Sequence, residues 1–301
     1  MEITKLLVFM DNLRYARKVS QEDYLLDIVS QRQYYRYVNG DSLPPFDIII
    51  KLSERLGMSF ERLINQFIEA SDDENKHVKA FFNLVISRKD SEALKLFDGF
   101  SKQRLLENAN HKFIIIGKSI LDYNRDRMPK HELIRILKEQ IDFASIMKSE
   151  ILQDLELYIL GLVMQYSDED RKPILKRILY LNKENKLYTS GNRLYISQVY
   201  FWVLKNLGVE KRYDDLLQIA DDAILFAKSE YSVYLLEYFY YYKALAYYKK
   251  KDLPSFEAVL FDCISVLKVS NMRTYEHFKE MILKDTKIHI DDFYVLKIKI
   301  K

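Results

Sequence analysis

Three side chains between Ser30 and Gly40 have the donor geometry needed to read a nucleic-acid base. In the run Ser30-Gln31-Arg32-Gln33-Tyr34-Tyr35-Arg36-Tyr37-Val38-Asn39-Gly40, Arg32 and Arg36 stand four residues apart. On a helix that spacing puts both guanidinium groups on one face. The arginine fork presents two parallel donors that match O6 and N7 of guanine, and the Gln31 carboxamide pairs with adenine in the same bidentate way. Gln31, Arg32 and Arg36 are therefore the candidate base readers. Gln21, at the start of the preceding helix, is placed for a phosphate, because the free amides and dipole of a helix N-terminus face an anion. Arg14, Arg17, Lys18 and Asn39 are candidate backbone contacts.

The elements that must hold these residues follow from local chemistry. Ile3, Leu6, Leu7, Met10 and Leu13 recur at helical spacing and give a first helix one buried face. Ser20 caps a second helix, with Asp23 three residues on, that turns Tyr24, Leu25 and Ile28 inward. Ser30 caps a third, burying Tyr34, Tyr37 and Val38, and Asn39-Gly40 stops it because both tolerate the left-handed conformation of a C-cap. Pro44-Pro45 opens a fourth helix that buries Phe46, Ile49, Leu52 and Leu56 and closes at Gly57. Ser59 caps a fifth that buries Leu63, Ile64 and Phe67.

Over residues 1–66 nine basic and nine acidic residues balance, so counterion release alone gives this segment little affinity for a polyanion. Useful affinity then requires two copies reading two half-sites about one helical turn, or a multiple, apart.

The segment resembles the Xre/Cro type of helix-turn-helix. Val19-Ser20-Gln21-Glu22, Asn39-Gly40, Pro44 or Pro45, and Leu52-Ser53-Glu54-Arg55-Leu56-Gly57-Met58-Ser59 follow that family's order over about a fifth of the chain. Three positions depart from it: Leu25 replaces a small alanine, Val38 replaces a glutamate, and the turn before the third helix lacks its glycine, leaving Val29-Ser30 one residue short.

The remaining chain is bounded by composition. With 301 residues, 49% hydrophobic and 30% charged, but only seven glycines and five prolines, it has ample core and too few turn formers for an all-β fold. The closest glycines are seventeen apart, which excludes Gly-x-Gly-x-x-Gly, a Walker loop and a Gly-x-Ser-x-Gly elbow. His131-Glu132 lacks the second histidine of a zinc-protease helix, and the acidic runs at 168–170 and 221–222 read as solvated faces. No metal, cofactor or enzyme activity is expected. The single cysteine, Cys263, reads as a small core hydrophobe in a reducing cytoplasm. The N-terminus is no signal peptide, and no apolar run approaches the roughly 18 residues of a membrane span.

The polar stretch Ser71-Asp72-Asp73-Glu74-Asn75-Lys76 predicts a linker, dividing residues 1–70 from 77–301. Beyond it, spans of roughly 14 to 20 residues with short breaks, from about 75 to 285, repeat as helix pairs with the 35–40-residue period of a tetratricopeptide-like α-solenoid. Tyr213-Asp214-Asp215-Leu216-Leu217 and Tyr242 to Tyr248 carry its pattern of aromatic and small residues. Residues 295–301 alternate apolar and basic, and read first as a tail and second as a short strand that pairs with its symmetry mate.

Twenty-three tyrosines concentrate in the second half. A helix over 230–250 would line up Tyr231, Tyr234 and Tyr238 on one stripe, either as an inter-repeat core or as the wall of a groove, since tyrosine joins apolar area to a hydrogen-bonding tip. Asn192, Arg193, Tyr195 and Gln198 lie close together on the preceding pair, where amides can bond a peptide backbone and arginine a carboxylate.

An Xre-type domain followed by such a solenoid resembles the RRNPP group of peptide-pheromone receptor regulators, its Rgg, PlcR and PrgX branch. The resemblance implies a cytoplasmic homodimer that binds a double-stranded DNA operator and is switched by a short signalling peptide in the solenoid groove. A helix-turn-helix-tethered scaffold for a protein partner is the alternative.

Overall fold

The computed structural model describes residues 3–100, 105–106, 108–187, 193–269 and 272–290, and among these every regular element is a helix. The expected tail at 295–301 lies outside the described residues. In chain order the helices are α1 (Ile3–Ala16), α2 (Gln21–Leu25), α3 (Gln31–Asn39), α4 (Phe46–Arg55), α5 (Phe60–Ile86), α6 (Asp90–Phe100), α7 (Asn108–Asn124), α8 (Lys130–Glu139), α9 (Phe143–Ile146), α10 (Asp154–Tyr166), α11 (Asp168–Lys183), α12 (Arg193–Val209), α13 (Tyr213–Ser229), α14 (Leu236–Lys249), α15 (Leu253–Lys268) and α16 (Met272–Thr286). The chain divides into two units, residues 1–136 and 137–301, with the boundary inside α8.

In the first unit, α1 to α4 and the start of α5 enclose one core. Leu6, Leu7 and Met10 of α1, Tyr24 of α2, Leu52 of α4 and Leu63 of α5 are fully buried. The predicted caps operate: the hydroxyls of Ser20, Ser30 and Ser59 accept from the backbone N–H groups of Asp23, Gln33 and Arg62, and Gly40 ends α3 in the left-handed conformation at φ +83°. Each such cap contributes about 1 kcal/mol to its helix.

Two expectations are corrected here. Residues 71–76 form no linker but lie in the middle of α5, whose 27 residues pack first into the core shared with α1 to α4, which together form the head, and then on α6 and α7. The polar run is part of a continuous helix, with Asp72, Asp73 and Lys76 on its exposed side. Asp73 pairs with Lys76 at 3.1 Å, while Glu74 turns inward to accept from the Leu106 N–H at 2.7 Å and the Asn110 amide at 2.8 Å. Helix α2 ends at Leu25, so Ile28 falls in the turn, which runs over Leu26 to Ser30 with Asp27 left-handed at φ +60°. The turn is not short; an aspartate takes the conformation for which glycine is the usual choice.

In the second unit, α10, α12, α14 and α16 pack side by side as one layer, and α11, α13 and α15 cover them as a second. Helix α10 is buried over every residue from Leu157 to Met164, which requires partners on all sides. Gly161 provides the close approach: Trp202 of α12 lies against its backbone, where a Cβ would stand 2.6 Å from the indole. Polar bonds join the layers, among them Tyr200 donating to Asn182 at 2.9 Å and the Lys243–Asp221 pair at 2.6 Å, and within the second layer Asn182 donates to Asp222 at 2.7 Å.

Candidate functional site

On the head, α3 buries Tyr34, Tyr37 and Val38 and leaves Gln31, Arg32, Tyr35, Arg36 and Asn39 exposed. The three candidate base readers thus share an open face. Gln21 stands beside it: its side-chain oxygen accepts from the Gln31 amide and from the Tyr35 hydroxyl, both at 3.2 Å. The start of α2 is thereby tied to the start of α3. Arg36 reaches the Gln33 oxygen at 3.5 Å, and Gln33 donates to Ser42 at 3.1 Å, which steadies the second half of the helix. Arg17 and Lys18 are exposed at the end of α1, with Lys18 left-handed at φ +57°.

Arg14 departs from its expected role as a backbone contact. Its guanidinium donates to Asp11 at 2.8 Å and to the Val19 carbonyl at 2.8 Å, and its side chain is only 14% exposed. Burial opposes its charge, but the Asp11 carboxylate more than compensates and holds its pKa above the ordinary value. Arg14 fixes the join between α1 and α2, beside the edge-to-face pair of Tyr24 and Tyr34 with ring centroids 6.0 Å apart.

A residue that the sequence reading left without a role completes the geometry. Arg55, at the end of α4, donates to the carbonyls of Asp23 and of Leu26, the latter at 3.0 Å. These are carbonyls that the end of α2 leaves without intrahelical partners. Arg55 thus clamps the turn that sets the angle between α2 and α3. Arg55→Ala is expected to weaken specific DNA binding several-fold while lowering stability by about 1–2 kcal/mol, the worth of a charge-assisted bond to backbone. A titration of labelled DNA alongside a thermal melt checks this, and unchanged affinity would show that the clamp does not position α3.

On the second unit, the face of α10, α12, α14 and α16 gathers aromatic side chains. Tyr195 packs on Tyr158 with centroids 4.8 Å apart, and Gln198 accepts from the Tyr234 hydroxyl at 3.0 Å. Tyr238 lies between Phe201 at 4.8 Å and Phe278 at 4.6 Å. Arg193, at the end of this surface, pairs with Glu230. Burial, with the Glu237 carboxylate, pushes the Tyr234 and Tyr238 phenols up, so both stay protonated donors at neutral pH.

Tyr195, Gln198, Tyr234 and Tyr238 are thus brought together. Tyr231 is not: it is 99% exposed at φ +51° in the turn after α13, and α14 begins only at Leu236. The expected stripe on one helix over 230–250 therefore does not form, and Tyr234 joins the surface from a loop. Asn192 lies outside the described residues. Tyr158, Phe201 and Phe278 were missed. For Phe201 a signal existed: Leu194, Gln198, Phe201 and Lys205 recur at helical spacing on the less buried side of α12, whereas Tyr200 and Trp202 face the core.

No protein-family model matches the chain, and no curated protein matches it. Solved structures do, along nearly its whole length, and they share its all-helical fold. PlcR from Bacillus thuringiensis in its apo form aligns with a TM-score of 0.58 at 16% identity, covering 89% of this chain and 97% of its own. The same protein in complex with the peptide PapR7 and DNA aligns at 0.55 and 16%, over 91% and 98% of the two chains. ComR from S. thermophilus in complex with DNA and its signalling peptide ComS aligns at 0.55 and 17%, over 93% and 99%. At these identities the likeness establishes a shared fold. No described helix is long and apolar enough to cross a membrane.

Proposed function

We propose that this chain is a cytoplasmic, DNA-binding transcriptional regulator that acts as a homodimer and is switched by a short peptide bound on the aromatic surface of its solenoid. Residues 1–70 would serve as the DNA-binding part and the helices beyond as the peptide-binding and dimerisation part. The observation that carries the reading is the exposed face of α3, where Gln31, Arg32 and Arg36 project outward while Gln21, Gln33 and Arg55 hold the helix and its turn. Residue types of this kind on an exposed helix face suit base edges in a major groove.

The surface formed by Tyr195, Gln198, Tyr234 and Tyr238 supports the peptide half of the reading. Its rings supply apolar contact at little entropic cost, and its hydroxyl and amide groups can bond an extended backbone. The switch needs no new principle. A peptide that binds one arrangement of the two heads more tightly shifts the population toward it, tenfold for each roughly 1.4 kcal/mol of difference.

The test combines footprinting of the full chain on DNA flanking its own gene with titration of short peptides encoded nearby. Trp202, the only tryptophan, is 7% exposed, with its ring 5.2 Å from that of Tyr158 beneath the proposed groove, so its emission reports occupancy. The expected result is a two-fold-symmetric footprint that one peptide moves or removes, at the same concentration that changes Trp202 emission. A footprint indifferent to every peptide would leave DNA binding standing and favour a larger protein partner.

A further inference from the structure

The other layer of the second unit holds a cleft that the peptide reading does not use. Helix α11 and the beginning of α13 enclose about 590 Å³ there. Lys172, Lys176 and Lys183 line one wall, all exposed, and no carboxylate among the described residues pairs with them. The opposite wall sets one arginine against two carboxylates, Arg212 holding Asp215 at 2.7 Å and Glu210 at 3.4 Å, which leaves one negative charge to face the three lysines. The cleft therefore carries unbalanced positive charge on the lysine side. Between Lys176 and Asn182 the wall is apolar, formed by Leu179 and by Tyr180, which is 49% exposed. Arg177 sits over the Tyr180 ring, 5.5 Å from its centroid, and covers one face of it.

We propose that this cleft binds a nucleoside polyphosphate. Lys172 and Lys176 are one helical turn apart, about 6 Å along the axis, which suits neighbouring phosphates. Lysine meets phosphate as a point charge and needs no bidentate geometry. The free face of Tyr180 offers a flat apolar surface to the base. Charges spread along one wall around an apolar patch fit a ligand whose anionic chain extends from a planar body better than they fit a lone carboxylate. The volume lies within the usual range for small-molecule sites.

An occupant here would also touch the network that holds the two layers together. Asn182, in the lining, accepts from Tyr200 of α12 and donates to Asp222 of α13. Binding on this side is thus connected, through Asn182 and Tyr200, to the helix that carries Tyr195 and Gln198.

The test uses the full chain at fixed ionic strength, with ATP, tripolyphosphate and a hexaglutamate peptide as probes, followed by calorimetry and thermal melting. ATP is expected to bind once per chain and raise the melting temperature. Tripolyphosphate should bind at least about tenfold more weakly, the share that stacking supplies, and Tyr180→Ala should bring ATP down to that level. The triple variant Lys172→Ala, Lys176→Ala, Lys183→Ala should keep its circular dichroism and lose ATP binding; the single variant Lys176→Gln should weaken it. Absence of ATP binding, or binding unchanged in the triple variant, would overturn the proposal. Hexaglutamate binding as tightly as ATP would overturn the ligand class and mark an acidic-peptide site. DNA binding is read separately and does not enter these outcomes.

Discussion

Arg32→Ala and Arg36→Ala are each expected to weaken sequence-specific DNA binding at least tens-fold while leaving the protein folded. Both side chains are exposed on α3, and neither takes part in the head's core. Exposed substitutions of this kind change stability by no more than about 0.5 kcal/mol. A bidentate arginine–guanine pair contributes about 1–3 kcal/mol of discrimination. A two-fold dimer loses the contact twice, so a difference of about 2–6 kcal/mol, from tens-fold to more than a thousand-fold, separates the variant from the parent on the operator. On scrambled DNA the two should differ little. Lys18→Ala is the contrast: loss of a phosphate contact lowers affinity for every sequence alike and makes the salt dependence shallower by about one counterion. Anisotropy titrations on operator and scrambled duplexes at two salt concentrations separate these cases. Operator affinity retained in both arginine variants would refute the assignment of α3.

A large effect on stability is expected from Gly161→Ala. The new Cβ would stand 2.6 and 2.8 Å from two carbons of the Trp202 ring, closer than real side chains approach. Trp202 cannot swing aside freely, because it is 7% exposed and packed against Tyr158. Overpacking of this kind costs about 1–3 kcal/mol, against the fraction of a kcal/mol that alanine returns in helix propensity. The melting temperature should fall by several degrees, and Trp202 emission should change even in the folded protein. Gly208→Ala provides the control, since its Cβ would meet only ordinary contacts at 3.7 Å and beyond. That variant should be neutral or slightly more stable. Equal melting temperatures for both variants would show that the α10–α12 contact is looser than described.

The head was legible because its boundaries are written in residue types with a single strong preference. Ser20, Ser30 and Ser59 accept hydrogen bonds that helix starts require, and Gly40 and Gly57 adopt positive φ where α3 and α4 finish. Elsewhere this chain breaks its helices without glycine. Lys18, Asp27, Arg88, Asp126, Asn185, Lys211, Tyr231, Leu235 and Lys251 all stand in the left-handed region. Most of these residue types carry no turn signal, so the end of α2 and the start of α14 were misplaced, and with them Ile28 and the Tyr231 stripe. The α14 case is the sharpest: Leu235 precedes the helix at φ +62° and offers no side chain to cap it. Arg55 was invisible for another reason, since its partners are backbone carbonyls about thirty residues away and no spacing rule points to them.

The unbroken course of α5 has a mechanical consequence. From Met58 to Asp98 the chain contains neither glycine nor proline, and over 60–86 it is one rod shared by the head and by the first helices beyond it. A rod keeps phase: each residue added to it would turn one end by about 100° and advance it by about 1.5 Å relative to the other. The orientation of α1 to α4 is therefore tied, through the core they share with the start of α5, to that of α6 and α7. A rotation of the rod at one end would appear at the other as a change of angle, with little slack to take it up.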